Sequence, residues 1–148
     1  MAKLLALAAF VWPTVLGVSV WQIAGARPTA MTAIVYAAAS RVCHQKPDRS
    51  FHTAGVSWPV CARCSGLYIA APIGAAAALL TRRRIVRRSR LLTWLAVASV
   101  PTAITIGVEL AGLASPSNLV RAIAALPAGA AIAFTLVRTA AGRSSPIE

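Results

Sequence analysis

Hydrophobic positions gather into four long runs, at about 4–24, 62–80, 91–113 and 119–137, separated by short polar breaks. Each run is close to the roughly 17–25 residues that a helix needs to cross a hydrocarbon core at 1.5 Å rise per residue. A segment surrounded by lipid must satisfy its own backbone hydrogen bonds, so each run predicts a helix. The second is the shortest and reaches full length only if it begins near Cys61. The pattern predicts an all-α, integral membrane bundle of four transmembrane helices. Four spans leave almost nothing for a separate soluble domain, so residues 1–148 read as one membrane domain. The first run ends in Ala24-Gly25-Ala26, which looks like a signal-peptidase site. It is longer than the roughly 7–15 residues of a secretory core, so an uncleaved first helix is expected. Between Pro28 and Val42 a shorter apolar stretch predicts a short helix on the outer interface, delivering Cys43 to the membrane surface.

Composition agrees: 58% of residues are hydrophobic, and fifteen basic residues face only Asp48, Glu109 and Glu148, for a formal charge of +12. The basic residues lie in the gaps between apolar runs, where anionic headgroups would meet them. This speaks for a lipid bilayer as partner and against nucleic acid, which calls for a basic face on a soluble module. The break at 81–90 holds Arg82, Arg83, Arg84, Arg87, Arg88 and Arg90. Short loops this rich in arginine stay cytoplasmic. Lys3, Arg138 and Arg143 then also lie inside, and both termini are expected in the cytoplasm of a cell with this protein in its inner (plasma) membrane. Residues 25–61 become an extracytoplasmic loop, with Arg27, Arg41, Lys46, Arg49, Arg63 and Arg121 on that side.

Small residues mark the packing faces. Gly66, Ala70, Gly74 and Ala78 recur every fourth position in the second run, and Ala125, Gly129 and Ala133 do so in the fourth. Such stripes let helix backbones approach closely in lipid, so these faces are candidates for the bundle centre or for homo- or hetero-oligomer contacts. Each run carries one proline (Pro13, Pro72, Pro101, Pro127), read first as the ordinary tolerance of membrane helices for proline. Glu109 is the only acid inside a run. A carboxylate there needs a partner, and Arg121, in the first turn of the next helix on the same side, is placed to supply one. The pair either staples the hairpin or borders a polar pocket of Arg49, Arg63, Glu109, Asn118 and Arg121 beneath the extracytoplasmic loop.

That loop and the start of the second run contain every cysteine and histidine of the chain: Cys43, His44, His52, Cys61 and Cys64. Cys61-Ala-Arg-Cys64 has the spacing with which two sulfurs hold one metal ion or close a small disulfide. With Cys43 and either His44 or His52 it makes a Cys₃His set, which suits zinc or another divalent metal. Arg41, Arg49, Arg63 and a helix N-terminus would favour the thiolates that metal binding requires. The alternatives are a membrane thiol–disulfide oxidoreductase built on Cys61 and Cys64, or semi-buried cysteines without chemistry. A non-catalytic subunit of a larger membrane complex is a further reading. No hydrolase, nucleotide-binding or zinc-protease motif occurs, and Ser65 rather than histidine follows Cys64, so haem attachment of the Cys-x-x-Cys-His kind is absent. Asp48, in Lys46-Pro47-Asp48-Arg49, reads as a turn residue.

Cys43-His44-Gln45, Arg49-Ser50-Phe51 and Pro59-Val60-Cys61-Ala62-Arg63-Cys64-Ser65-Gly66-Leu67-Tyr68 resemble the motifs of a family of small prokaryotic membrane proteins, domain of unknown function 2085. The resemblance covers roughly Tyr36 to Gly129, and Glu109, Asn118 and Arg121 match its later acid–Asn–Arg pattern. It implies a multi-span membrane protein without an assigned activity, and a single site joining the cysteine window to those three residues.

Overall fold

The computed structural model describes residues 1–81 and 88–142. The run Arg82, Arg83, Arg84 and Arg87, the side chain of Arg88, and Arg143 and Glu148 lie outside the described residues. The class is mainly all-α. Among the described residues, four helices are long and apolar enough to cross a membrane. They are α1 (Ala2–Ala24), α3 (Ala62–Leu80), α4 (Arg88–Leu110) and α5 (Asn118–Gly142). The short α2 (Ala30–Ser40) fills the connection after α1. Thr29 caps it, accepting from the Thr32 amide, while the Thr32 hydroxyl takes the Thr29 amide in return.

Helix ends differ from the apolar runs where local chemistry overrides hydropathy. The third run extends to Leu113, yet α4 stops at Leu110. Gly112 adopts φ 67°, and the amides of Gly112 and Leu113 fold back onto the carbonyls of Glu109 and Val108. This is a Schellman-type stop, which glycine permits because it lacks a Cβ. At the other extreme, α5 continues past Val137 to Gly142, because hydrogen bonding does not end where hydropathy does.

The loop expected over 25–61 contains a β-hairpin as well as α2. A 3₁₀ turn (Pro47–Arg49) leads into β1 (Ser50–Thr53), which pairs antiparallel with β2 (Val56–Cys61). The two-residue connection, Ala54 and Gly55, has φ of 51° and 78°. Two positive φ values characterise the type I′ turn, whose twist suits a hairpin. Phe51 and Trp58 pack across the strands with ring centroids 5.2 Å apart and planes tilted by 57°, and Trp58 Nε1 donates to Thr53 Oγ1 at 2.8 Å.

The centre of the bundle is the seam between α3 and α5. A Cβ on Gly66 would strike the carbonyl of Ala122, one on Gly74 that of Ala130, and one on Gly129 that of Leu67. These contacts advance in the same direction along both helices, so α3 and α5 run parallel, and α4 links them in the chain by running back the other way. Helices this close gain dispersion contacts that lipid cannot offer equally well. The two small-residue faces therefore pack against each other within one chain, the bundle-centre role considered from sequence. Arg138 Nη1 donates to the Thr81 carbonyl at 3.1 Å, joining α5 and α3 at the end away from the hairpin. The α4 helix lies outermost, holding on to α5 partly through Thr102 Oγ1, which donates to the Ala124 carbonyl at 2.8 Å. Trp21 and Trp94 are 75% and 72% exposed at opposite ends of the bundle, where interfacial tryptophans sit in membrane proteins.

Candidate functional site

The hairpin, α2 and the first turn of α3 meet at one end of the bundle. Leu16, Val35, Ala39 and Val60 form an apolar nest there, with Trp12 and Tyr68 edge-to-face at 6.1 Å beside it. Into this nest the fold delivers all three cysteines: Cys43 from the turn after α2, Cys61 as the last residue of β2, and Cys64 from the first turn of α3. The three Sγ atoms lie within 4.8 Å of one another. No S–S bond joins them. The Cys61 amide donates to Cys43 Sγ at 3.2 Å. An N–H···S bond of this kind orients a sulfur and stabilises its thiolate, the role of outer-shell donors around bound metals.

Cys61 titrates well below an ordinary thiol, at about 5. The main cause is a hydrogen bond from the Cys64 thiol, which favours the anion and outweighs the opposing cost of burial. Lesser contributions come from the Cys64 and Arg63 amides and from Cys43.

The two histidines stay outside the sulfur cluster. His44 and His52 are both exposed, and neither ring nitrogen belongs to the ligand group. The Cys₃His set expected from their closeness in sequence is thus a Cys₃ set in the structure. His44 sits exposed in the turn after Cys43, where Gln45 adopts φ 46°. His52 sits exposed on the hairpin, whose register shifts between Ser50 and His52. Sequence reasoning passed over Gln45, although it closes the Cys-His-Gln motif. Its Nε2 donates to the carbonyls of Tyr36 at 2.9 Å and Pro59 at 2.8 Å, clipping the Cys43 turn to α2 and β2. Tyr36 adds a second tie from its hydroxyl to the Ser57 carbonyl at 2.9 Å.

Beside the sulfurs, the five residues of the expected polar pocket come together around Glu109. Arg121 Nη2 lies 3.0 Å from its Oε1, Arg63 Nη2 2.7 Å from its Oε2, and Arg49 Nη2 3.1 Å from its Oε1. Arg121 Nη1 also donates to Asn118 Oδ1 at 2.9 Å, and Asn118 Nδ2 donates to the Ser50 carbonyl at 2.9 Å. One carboxylate thus ties together the 3₁₀ turn, α3, α4 and α5. The polar and sulfur clusters share a frame: Ser50 pairs with Cys61 across the hairpin, and Arg63 sits between Cys61 and Cys64.

A cavity of about 430 Å³ opens beside Glu109, lined by Asp48, Arg49, Ser115, Pro116, Ser117, Asn118 and Arg121 as well.

Comparison with known proteins matches residues 43–135 to the family described as "Predicted membrane protein (DUF2085)". That segment includes both clusters and the α3–α5 seam. An uncharacterised protein of the archaeon Methanothermobacter thermautotrophicus is 36% identical over 92 residues, covering 62% of this chain and 81% of the relative. Another uncharacterised protein, from Methanocaldococcus jannaschii, is 31% identical over 103 residues, covering 70% of this chain and 66% of the relative. No solved structure matches the chain. With its four long apolar helices and a family match spanning most of its length, the chain belongs to the DUF2085 family of predicted membrane proteins.

Proposed function

We propose that this membrane protein holds a thiophilic divalent metal ion, zinc in the first instance, on Cys43, Cys61 and Cys64. The observation that carries the reading is the convergence of three sulfurs, from three separate elements, to within 4.8 Å of one another. Zinc–sulfur bonds of about 2.3 Å in tetrahedral array hold sulfurs about 3.8 Å apart, so closing the site requires only small side-chain adjustments. The apolar nest packs around the sulfurs, leaving Cys61 and Cys64 partly exposed, and the Cys61 amide already supports one sulfur. With both histidines outside the cluster, three protein ligands leave a fourth position for water or an exogenous ligand, the pattern of a site that does more than brace a fold. The arginine-rich loop supports the accompanying topology, with the sulfurs on the extracytoplasmic side of the inner membrane and both termini in the cytoplasm.

Metal analysis of the purified, detergent-solubilised protein tests the reading. Close to one metal per chain is expected for the wild type and a large loss for the Cys61→Ser/Cys64→Ser variant. Cobalt loading should add intense thiolate-to-metal charge-transfer absorption in the wild type alone. Metal well below one per chain in protein reloaded with zinc under reducing conditions sinks the proposal.

The second reading, a thiol–disulfide pair, is favoured by one observation: the Cys61 and Cys64 sulfurs lie within 4.8 Å of each other. Thiol counting without reductant separates the two. One free thiol per chain marks a Cys61–Cys64 disulfide, whereas three thiols that become accessible only after chelation mark a metal centre.

A further inference from the structure

The polar cluster around Glu109 has a property that an internal staple does not require: an excess of positive charge. Arg49, Arg63 and Arg121 surround a single carboxylate. Among the described residues Asp48 is the other nearby acid, with Oδ2 3.6 Å from Arg49 Nε, and its side chain is 72% exposed on the rim. The group is thus cationic by one charge with Asp48 counted and by two without it. Arg121 is 7% exposed, and its Nε, like that of Arg63, is buried without a hydrogen-bond partner. Those Nε atoms have no accessible surface, so what a ligand in the adjacent space can meet is the uncompensated positive charge, which is costly to hold without a counter-ion.

The space beside the cluster fits an anion. The cavity of about 430 Å³ is bordered by Arg49 and Arg121, by Ser115 and Ser117, and by Asn118. The first turn of α5 forms one wall, so the positive end of a 25-residue helix adds to the field there. Guanidinium forks, hydroxyls and a helix N-terminus together match the several acceptor oxygens of a phosphate group. The volume exceeds what a bare phosphate fills and falls within the roughly 300–1,000 Å³ of small-ligand pockets. The cavity also lies where α4 ends and α5 begins, the depth at which lipid headgroups meet a spanning bundle.

We infer that the cavity bounded by Arg49, Ser117, Asn118 and Arg121 is a binding site for a phosphate-bearing anion, sized for a phospholipid headgroup. The site is independent of whether the sulfurs hold a metal. Arg49, 41% exposed, is the side chain that closes on the headgroup, while Arg121 and Arg63 supply the fixed field behind it. Asp48 opposes the ligand from the rim.

The test uses the full-length protein in a zwitterionic detergent, titrated with short-chain phosphatidylglycerol, phosphatidylcholine or inorganic phosphate and read by native mass spectrometry and thermal shift. Saturable phosphatidylglycerol binding is expected, weakened about tenfold in Arg49→Gln by loss of a charge-assisted fork, partly recovered in Arg49→Lys, and reduced by salt. Asp48→Asn should bind more tightly, a gain that damage to the fold would not mimic. Saturation by inorganic phosphate with the same dependence on Arg49 and Asp48, and no advantage for phosphatidylglycerol, identifies a soluble phosphate as the ligand source. Binding of neither anion, or equal binding by wild type, Arg49→Gln and Asp48→Asn, overturns the inference.

Discussion

At the scale of single residues, Glu109 and Cys61 carry the most chemistry. Glu109 receives three guanidinium groups, and its loss would leave three cations facing one another with donors unmatched. Glu109→Gln should therefore destabilise the protein by about 2 kcal/mol, the order of a hydrogen bond to a charged group, and lower Tm in detergent by several degrees. Removing Arg49 should cost far less, because its side chain is 41% exposed and solvent screens the pair. An equal effect of the two substitutions would contradict this account of the cluster. Cys61 provides the pH dependence. Its folded-state titration is depressed to about 5, so the thiolate persists through neutral pH and is lost as pH falls through that value. The stabilisation it contributes is fully present above the unfolded thiol's range, near pH 8.5, and decays as pH falls toward about 5. In metal-free protein, alkylation at Cys61 should stay rapid down to about pH 6, where an ordinary thiol has slowed more than a hundredfold. Peptide mapping after pulsed iodoacetamide labelling reads this directly, and a Cys61 rate falling tenfold per pH unit from pH 8 would refute it.

At the scale of elements, the α3–α5 seam and the hairpin position everything else. The seam depends on missing side chains: Gly66 and Gly74 face backbone carbonyls of α5 that cannot give way. Gly74→Val should push the helices apart and lower Tm strongly, whereas Gly17→Ala, where an added Cβ meets nothing within 4 Å, should be neutral or raise stability by about 0.5–1 kcal/mol. Equal Tm values for the two variants would show that the seam is not tightly packed. The small-residue spacing made this seam legible from sequence, because close approach in lipid has few other solutions. The hairpin was not read, although Ala54-Gly55 sits between Phe51-His52-Thr53 and Val56-Ser57-Trp58, an ordinary hairpin pattern. In that window the closely spaced cysteines and histidines stand out as a metal-ligand set before the short hairpin signal does. The backbone instead folds through its own ladder and through clips such as Gln45.

For the molecule as a whole, topology is the prediction to settle. The arginine-rich connection between α3 and α4 should remain in the cytoplasm. A green fluorescent reporter fused after Arg90 should then fluoresce, and alkaline phosphatase fused there should be inactive; the reverse pair of signals would invert the protein and both clusters with it. Length, hydropathy and charge placement were sufficient to determine the helix count and class, since crossing hydrocarbon leaves so few backbone solutions. The pairing of Glu109 with Arg121 was also legible, as both lie within a turn of one short connection. Sequence could name the groups able to bind a metal but could not choose among them. In the fold the three sulfurs converge while His44 and His52 stay exposed, beside a positive φ at Gln45 and a register shift in the hairpin that composition does not reveal. Nor could it show three arginines sharing one carboxylate, since Arg49 and Arg63 reach Glu109 only when the hairpin folds back over α3 and α5. Local composition determines which segments enter the membrane, while distances between residues far apart in the chain exist only once the helices have packed.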